Sequence, residues 1–185
     1  MNYLVSYASR YGSTKQYAEW IAEALGCDCL PVKQVTRELL TQYDGLIHGG
    51  GLYAGGLSGI SVITKNYDLL AAKTVVLFSC GLADPEDPKN VEHIETGLAK
   101  VLTPEMQVHI KQFHLRGGID YSRLNLVHKS MMAMLRRSML TKGYDNLRDE
   151  DKLMLDTYGK KIDFSDQSTI KTLVDEAFEW RKENV

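Results

Sequence analysis

The chain has 185 residues, 44% of them hydrophobic, with no break in composition, which is enough to bury one sizeable core and predicts a single domain over residues 1–185. Its formal charge of -2, from 22 basic and 24 acidic side chains mixed along the chain, supplies no broad basic field for nucleic acid. No run of about 18 apolar residues is present to span a membrane, "MNYLVSYASRYGS" does not read as a leader, and three cysteines (Cys27, Cys29, Cys80) are too sparse for a disulfide framework or a zinc site, so a reducing cytoplasm is the expected home.

In chain order, Asn2 to Ala8 is a short apolar run of the kind that forms a strand buried on both faces. Next, "STKQYAEWIAEALG" places Tyr17, Ala18, Ile21, Ala22 and Leu25 on one helical stripe, with Gly26 as the stop. "CDCLPVKQV" predicts an edge strand limited by Pro31, Arg37 to Gln42 a short helix, and Leu46 to His48 a third strand. "LSGISVITKNYDLLA" has helical spacing, and Lys73 to Ser79 reads as the fourth strand. "VEHIETGLAKVL" predicts a helix after the turn "ADPEDPKN", and "VHIKQFHLRGGI" a fifth strand. Five strands alternating with helices argue for an α/β fold with a doubly wound, five-stranded parallel sheet. From Ile119 to about Asp166 that rhythm stops, which predicts an insertion carrying one helix (about Leu124 to Leu140) and a polar stretch before a closing helix near Ser168 to Lys182.

In such a sheet ligands gather beyond the carboxyl ends of the strands, where the first βα turn offers backbone N–H groups and a positive helix end. Here that turn is "SRYGST", Ser9 to Thr14: Ser9, Ser13 and Thr14 add hydroxyls, and Gly12 lets the backbone curl around an anion. It lacks the G-x-G-x-x-G of dinucleotide sites and the G-K-[ST] of nucleotide triphosphatases, so a monoester phosphate is the better guest; the alternative is that Ser13 or Thr14 only caps the helix. Two further loops fall at the same edge. "GGGLYAGGLSG" has six glycines between Gly49 and Gly59 and one aromatic, Tyr53, suited to lie against a flat ring, and "CGLADPEDP" follows the fourth strand.

Together these loops resemble the flavodoxin-like family, whose turn reads hydroxyl-x-x-Gly-x-Thr and binds the phosphate of FMN; the Tyr11-Gly12-Ser13-Thr14 form is similar to the flavodoxin modules of flavodiiron proteins. The resemblance covers about Asn2 to Gly118 plus the last helix. It implies that Ser9, Arg10, Tyr11, Gly12, Ser13 and Thr14 take the phosphate. Gly51, Leu52, Tyr53, Ala54 and Gly55 would then edge the isoalloxazine, and Cys80, Gly81, Leu82, Ala83 and Asp84 would close the other side. The third loop has no aromatic, so one flavin face is more open than in electron-shuttle flavodoxins, and a charge of -2 is mild beside such acidic shuttles.

The insertion "GGIDYSRLNLVHKSMMAMLRRSML" resembles the corresponding segment of menaquinone-dependent protoporphyrinogen oxidases in layout: Tyr121, Met131, Met132, Met134 and Met139 with Arg136 and Arg137. Methionines make an adaptable apolar surface, and Lys129, Arg136, Arg137 and Lys142 an anion-attracting rim. That surface suits a redox partner, a small apolar substrate or a quinone at a membrane surface; alternatively the helix simply covers the sheet with its methionines in the core. The five histidines show no ligand spacing and read as structural or exposed. The expected function is oxidoreductase-type electron transfer through FMN, or a protoporphyrinogen oxidase-like enzyme passing electrons to a quinone, with no acid or base residue singled out.

Overall fold

The computed structural model describes residues 2–53 and 56–183. Strand β1 (Tyr3–Ala8) leads into helix α1 (Ser13–Leu25), then β2 (Asp28–Pro31), α2 (Arg37–Leu40), β3 (Gly45–Tyr53), β4 (Gly56–Leu57), α3 (Ser61–Thr64), α4 (Tyr67–Leu70) and β5 (Thr74–Gly81). Helices α5 (Pro88–Leu98) and α6 (Pro104–His109) precede β6 (Lys111–Arg116), and after it come β7 (Gly118–Asp120), α7 (Leu126–Lys142), α8 (Asp149–Asp156), β8 (Lys161–Asp163) and α9 (Lys171–Glu183). The expected doubly wound sheet is present: β2, β1, β3, β5 and β6 pair in that order, all parallel. This order puts the switch in winding direction between β1 and β3.

Alternation along β1 sends side chains to two separate cores, which is why the strand is apolar at every position but Ser6, whose hydroxyl is hydrogen-bonded to His48. Tyr3 and Val5 face α1 and α9, where Tyr17, Ile21, Leu173 and Ala177 are buried. Leu4 faces the opposite layer with Leu40, Ile63, Leu70, Ile94 and Leu98 from α2 to α5. The Tyr17 hydroxyl donates to the Arg116 carbonyl (2.7 Å) and accepts from the Asp166 N–H (3.0 Å), tying α1 to the end of β6 and to the entry of α9.

Four expectations are corrected. Gly49 to Tyr53 is strand, not loop: β3 pairs with β1 as far as Gly50 and with β5 as far as Gly51, and Leu52 and Tyr53 run on to take β4 antiparallel. The glycines serve packing there, since a Cβ on Gly49 would stand 2.0 Å from Cζ of Phe78, whose buried ring lies over the neighbouring strand. The stretch from Leu57 to Ala71 is two short helices, because the Asn66 side chain donates to the Val62 carbonyl (2.9 Å) and ends the first. Residues Val108 and His109, expected in the fifth strand, finish α6. Finally, the stretch expected to be polar after α7 contains α8 and β8, and β8 pairs antiparallel with β7. The ribbon is held by tertiary contacts such as the Arg116 guanidinium over the Phe164 ring (4.1 Å) and the Tyr121–Tyr158 ring pair (4.9 Å), which leave no periodic trace in so short a segment.

His48 on β3 is fully buried, and its two ring nitrogens are both used: Nδ1 lies 2.8 Å from Ser6 Oγ and Nε2 3.2 Å from the Ser58 carbonyl. The carbonyl can only accept, so Nε2 carries the proton and Nδ1 accepts from the serine. Burial pushes the pKa of His48 down to about 4. The unfolded chain takes up this proton below about pH 6.5 while the folded chain refuses it, so the stabilisation is complete above about 6.5 and is lost as pH falls toward 4. Denaturant melts should therefore show His48→Gln, compared with the parent, lacking about 2–3 kcal/mol of the stability change between pH 6.5 and 4.5. An equal pH dependence in both proteins would contradict this role.

Candidate functional site

Carboxyl ends of β1, β3, β5 and β6 converge with the start of α1 and with α7 around one cleft. Gly12 takes φ 117°, a conformation that side chains strongly disfavour, and no side chain caps α1. The expected alternative, a helix capped by Ser13 or Thr14, is therefore not what forms. The Gly12 N–H donates back to Ser9 Oγ (3.1 Å), and Ser13 Oγ accepts from the Gly118 N–H (3.1 Å), stitching the turn to the insertion. A Cβ built on Gly12 would meet nothing within 4 Å, so the outer side of the turn is open.

Among the residues expected from sequence, Tyr11, Gly12, Ser13, Thr14, Leu52, Tyr53, Cys80, Gly81 and Leu82 line the cleft. The others stand apart. Ser9 is turned into its own loop, and Arg10 reaches His128 Nε2 (3.3 Å) with its guanidinium 5.7 Å from the Tyr53 ring. Gly51 is covered by the Tyr53 ring, whose Cε2 would be 2.7 Å from a Cβ there. Ala83 faces a second groove, between β4 and α5, and Asp84 is engaged by Arg116 Nη1 (2.6 Å). Ala54 and Gly55 lie outside the described residues.

Thr14, 3% exposed, holds its hydroxyl against the Cys80 thiol. Burial raises the Cys80 pKa to about 12, so the thiol stays protonated and fills space between α1 and Gly117. Burial likewise raises the Tyr53 pKa, keeping its phenol neutral.

Sequence reasoning missed His128. Expected to be structural or exposed, it projects from α7 into the cleft, with Nδ1 2.7 Å from the Tyr11 hydroxyl and its ring stacked on Tyr53 (5.3 Å between centroids, 17° between planes). The Tyr11, Tyr53 and His128 rings thus form one cluster across the mouth. Gly117, Gly118, Ile119 and Leu124 complete the wall together with Met131 and Met132 from α7. The "LRGG" at the end of the fifth predicted strand was the signal for the glycines, since it falls at the same sheet edge as the other loops. For His128 there was no signal, because its ring partners Tyr11 and Tyr53 lie far from it in the chain.

Among the described residues the wall carries no carboxylate, and it has two chemically distinct parts: an uncapped helix start with Gly12 and two hydroxyl residues, and an apolar stretch with Tyr53, Leu52, Leu82 and the α7 methionines. The first suits an anionic group and the second a flat apolar one. Among the described residues no cluster of side chains suits a metal ion, and no helix is long and apolar enough to cross a membrane.

A flavodoxin domain model matches residues 4–147. Solved structures with some likeness include oxidised flavodoxin 2 from Bacillus cereus (23% identity, 63% of this chain and 86% of that one, TM-score 0.41). Others are the flavodoxin of Streptococcus pneumonia TIGR4 (17%, 62% and 82%, TM-score 0.40) and Trp repressor binding protein from Bacillus subtilis (14%, 63% and 83%, TM-score 0.44). No curated protein sequence matches the chain. With well over half of its length matched by that model, on a sheet wound 2-1-3-4-5 among the parallel strands, the chain belongs to the flavodoxin domain family.

Proposed function

We propose that the protein binds FMN in this cleft and works as a redox protein. The observation that carries the reading is the two-part wall: an uncapped helix start at Gly12 to Thr14 beside an apolar, carboxylate-free face that includes Tyr53. The backbone N–H groups of the turn and the hydroxyl of Thr14 or Ser13 hold the phosphate, aided by the positive end of α1. Tyr53 orients the ring, while Leu52, Leu82 and Cys80 exclude water from its edge. When bound, FMN supplies the electron chemistry. The cleft encloses about 150 Å³, below the roughly 300–1,000 Å³ usual for ligand pockets, so a tricyclic guest would require the His128 ring to leave its stacked position on Tyr53.

Met131, Met132, Ile119 and Leu124 on the wall favour a second reading, in which a small apolar substrate or quinone reaches the same cleft and the protein is an enzyme. Steady-state turnover of a porphyrinogen with a quinone, against electron transfer from a flavoprotein reductase to a one-electron acceptor, separates the two readings.

Two outcomes follow from the proposed anchoring. In titrations followed by flavin fluorescence, FMN should bind at least about tenfold more tightly than riboflavin, the equivalent of one hydrogen bond to a charged group. Gly12→Val should remove that margin by placing a side chain where the phosphate lies; equal affinity for the two flavins in the parent protein defeats the phosphate anchor. Separately, Tyr53→Ala should brighten the fluorescence of bound flavin, because a stacked phenol quenches it, and an unchanged quantum yield would place the ring away from Tyr53.

A further inference from the structure

The charges are less evenly mixed than the composition suggests. Residues 122–143 hold five of the 22 basic residues (Arg123, Lys129, Arg136, Arg137 and Lys142) and none of the 24 acidic ones. The other seventeen basic residues face all 24 acidic ones, so the rest of the chain carries -7 while this segment carries +5. Among the described residues Lys129, Arg137 and Lys142 pair with no carboxylate, and Arg136 lies over the Tyr158 ring at 5.1 Å.

The same helix is unusually bare. Leu126 is 84% exposed, Met134 71%, Val127 65% and Leu140 50%, whereas Met139 is the buried residue of α7. Large apolar side chains left in water beside unpaired cations mark a surface that something covers. Three residues of this helix, His128, Met131 and Met132, also line the cleft, so a molecule seated on α7 stands beside it.

We infer that α7 is the docking surface for a redox protein whose contact face has an apolar centre and an acidic rim. A bilayer would need an unbroken apolar face along the helix. On α7, Arg137 falls between Leu126 and Leu140 on one side and Val127 and Met134 on the other, so charge interrupts that face. Interleaved apolar and basic groups match a protein interface, with its dehydrated centre and charged rim. The segregation of charge adds orientation: an acidic partner is repelled by the -7 body and attracted to the +5 helix, which delivers it to the cleft mouth. The inference rests on the redox reading of the cleft for the kind of partner, though docking itself needs only the surface.

A plant-type [2Fe–2S] ferredoxin, an acidic redox protein, is a suitable probe when immobilised and titrated with the flavin-loaded protein at low and at high salt. Binding should weaken about tenfold or more on raising the salt, and by a similar factor in a Lys129→Glu/Arg137→Glu/Lys142→Glu variant. A second variant, Leu126→Ser/Met134→Ser, changes exposed positions without altering charge and should also weaken it. Melting temperature and FMN content are read on every sample. Parent protein that carries FMN but shows no salt-dependent binding to ferredoxin overturns the inference, as does tighter binding to basic cytochrome c or binding to phosphatidylglycerol vesicles in place of ferredoxin. Salt-dependent docking by protein that takes up no FMN would leave the docking inference standing and count against the cofactor reading alone.

Discussion

Helix α1 begins without a side-chain cap, behind a glycine held at φ 117°, at the carboxyl end of a strand buried on both faces. A helix start of this kind leaves backbone N–H groups in need of acceptors, and a nearby anion satisfies them. The rest of the site depends on that constraint. Ser13 reaches to Gly118 and Tyr11 to His128, so the turn also fixes where the insertion meets the sheet. The parallel sheet, in turn, brings the ends of β3, β5 and β6 to the same edge, which is how Tyr53, Cys80 and Gly117 come to share one wall with the turn at Tyr11 to Thr14.

How far the sequence foretold this depends on the range of the interactions. β1 and α1 were legible because their signals are local: an apolar run, a helical stripe and a glycine at each end of the helix. The fold class followed from the alternation of such units. The glycines of β3 misled, since a run of three glycines reads as loop, yet Gly49 lies in the sheet to make room for Phe78. The β7–β8 ribbon and α8 were invisible for a related reason: three-residue strands and an eight-residue helix carry too little pattern and depend on contacts such as that of Arg116 with Phe164. At the site, nine of the expected residues line one cleft, whereas His128 could not be found from spacing at all.

The insertion changes the chemistry of the edge it covers. Helix α7 adds a ring, His128, and two methionines to the cleft wall, and it brings the basic segment of the chain to the mouth. Its exposed leucines and methionines would destabilise a free-standing surface only slightly, but their concentration on one helix is what a binding face requires. On the proposed reading the two parts have separate roles: the sheet edge would hold the anion and the flat ring, and the insertion would govern what approaches them.

The central claim is that one end of the cleft holds a phosphate and the other a flavin ring. A crystal structure of the protein with FMN tests it most directly. The account predicts the phosphate within hydrogen-bond distance of the backbone N–H groups at Gly12 to Thr14 and the isoalloxazine against Tyr53, with the His128 ring displaced from its stacked position. A phosphate bound elsewhere, or a flavin seated in the groove between β4 and α5, would contradict it.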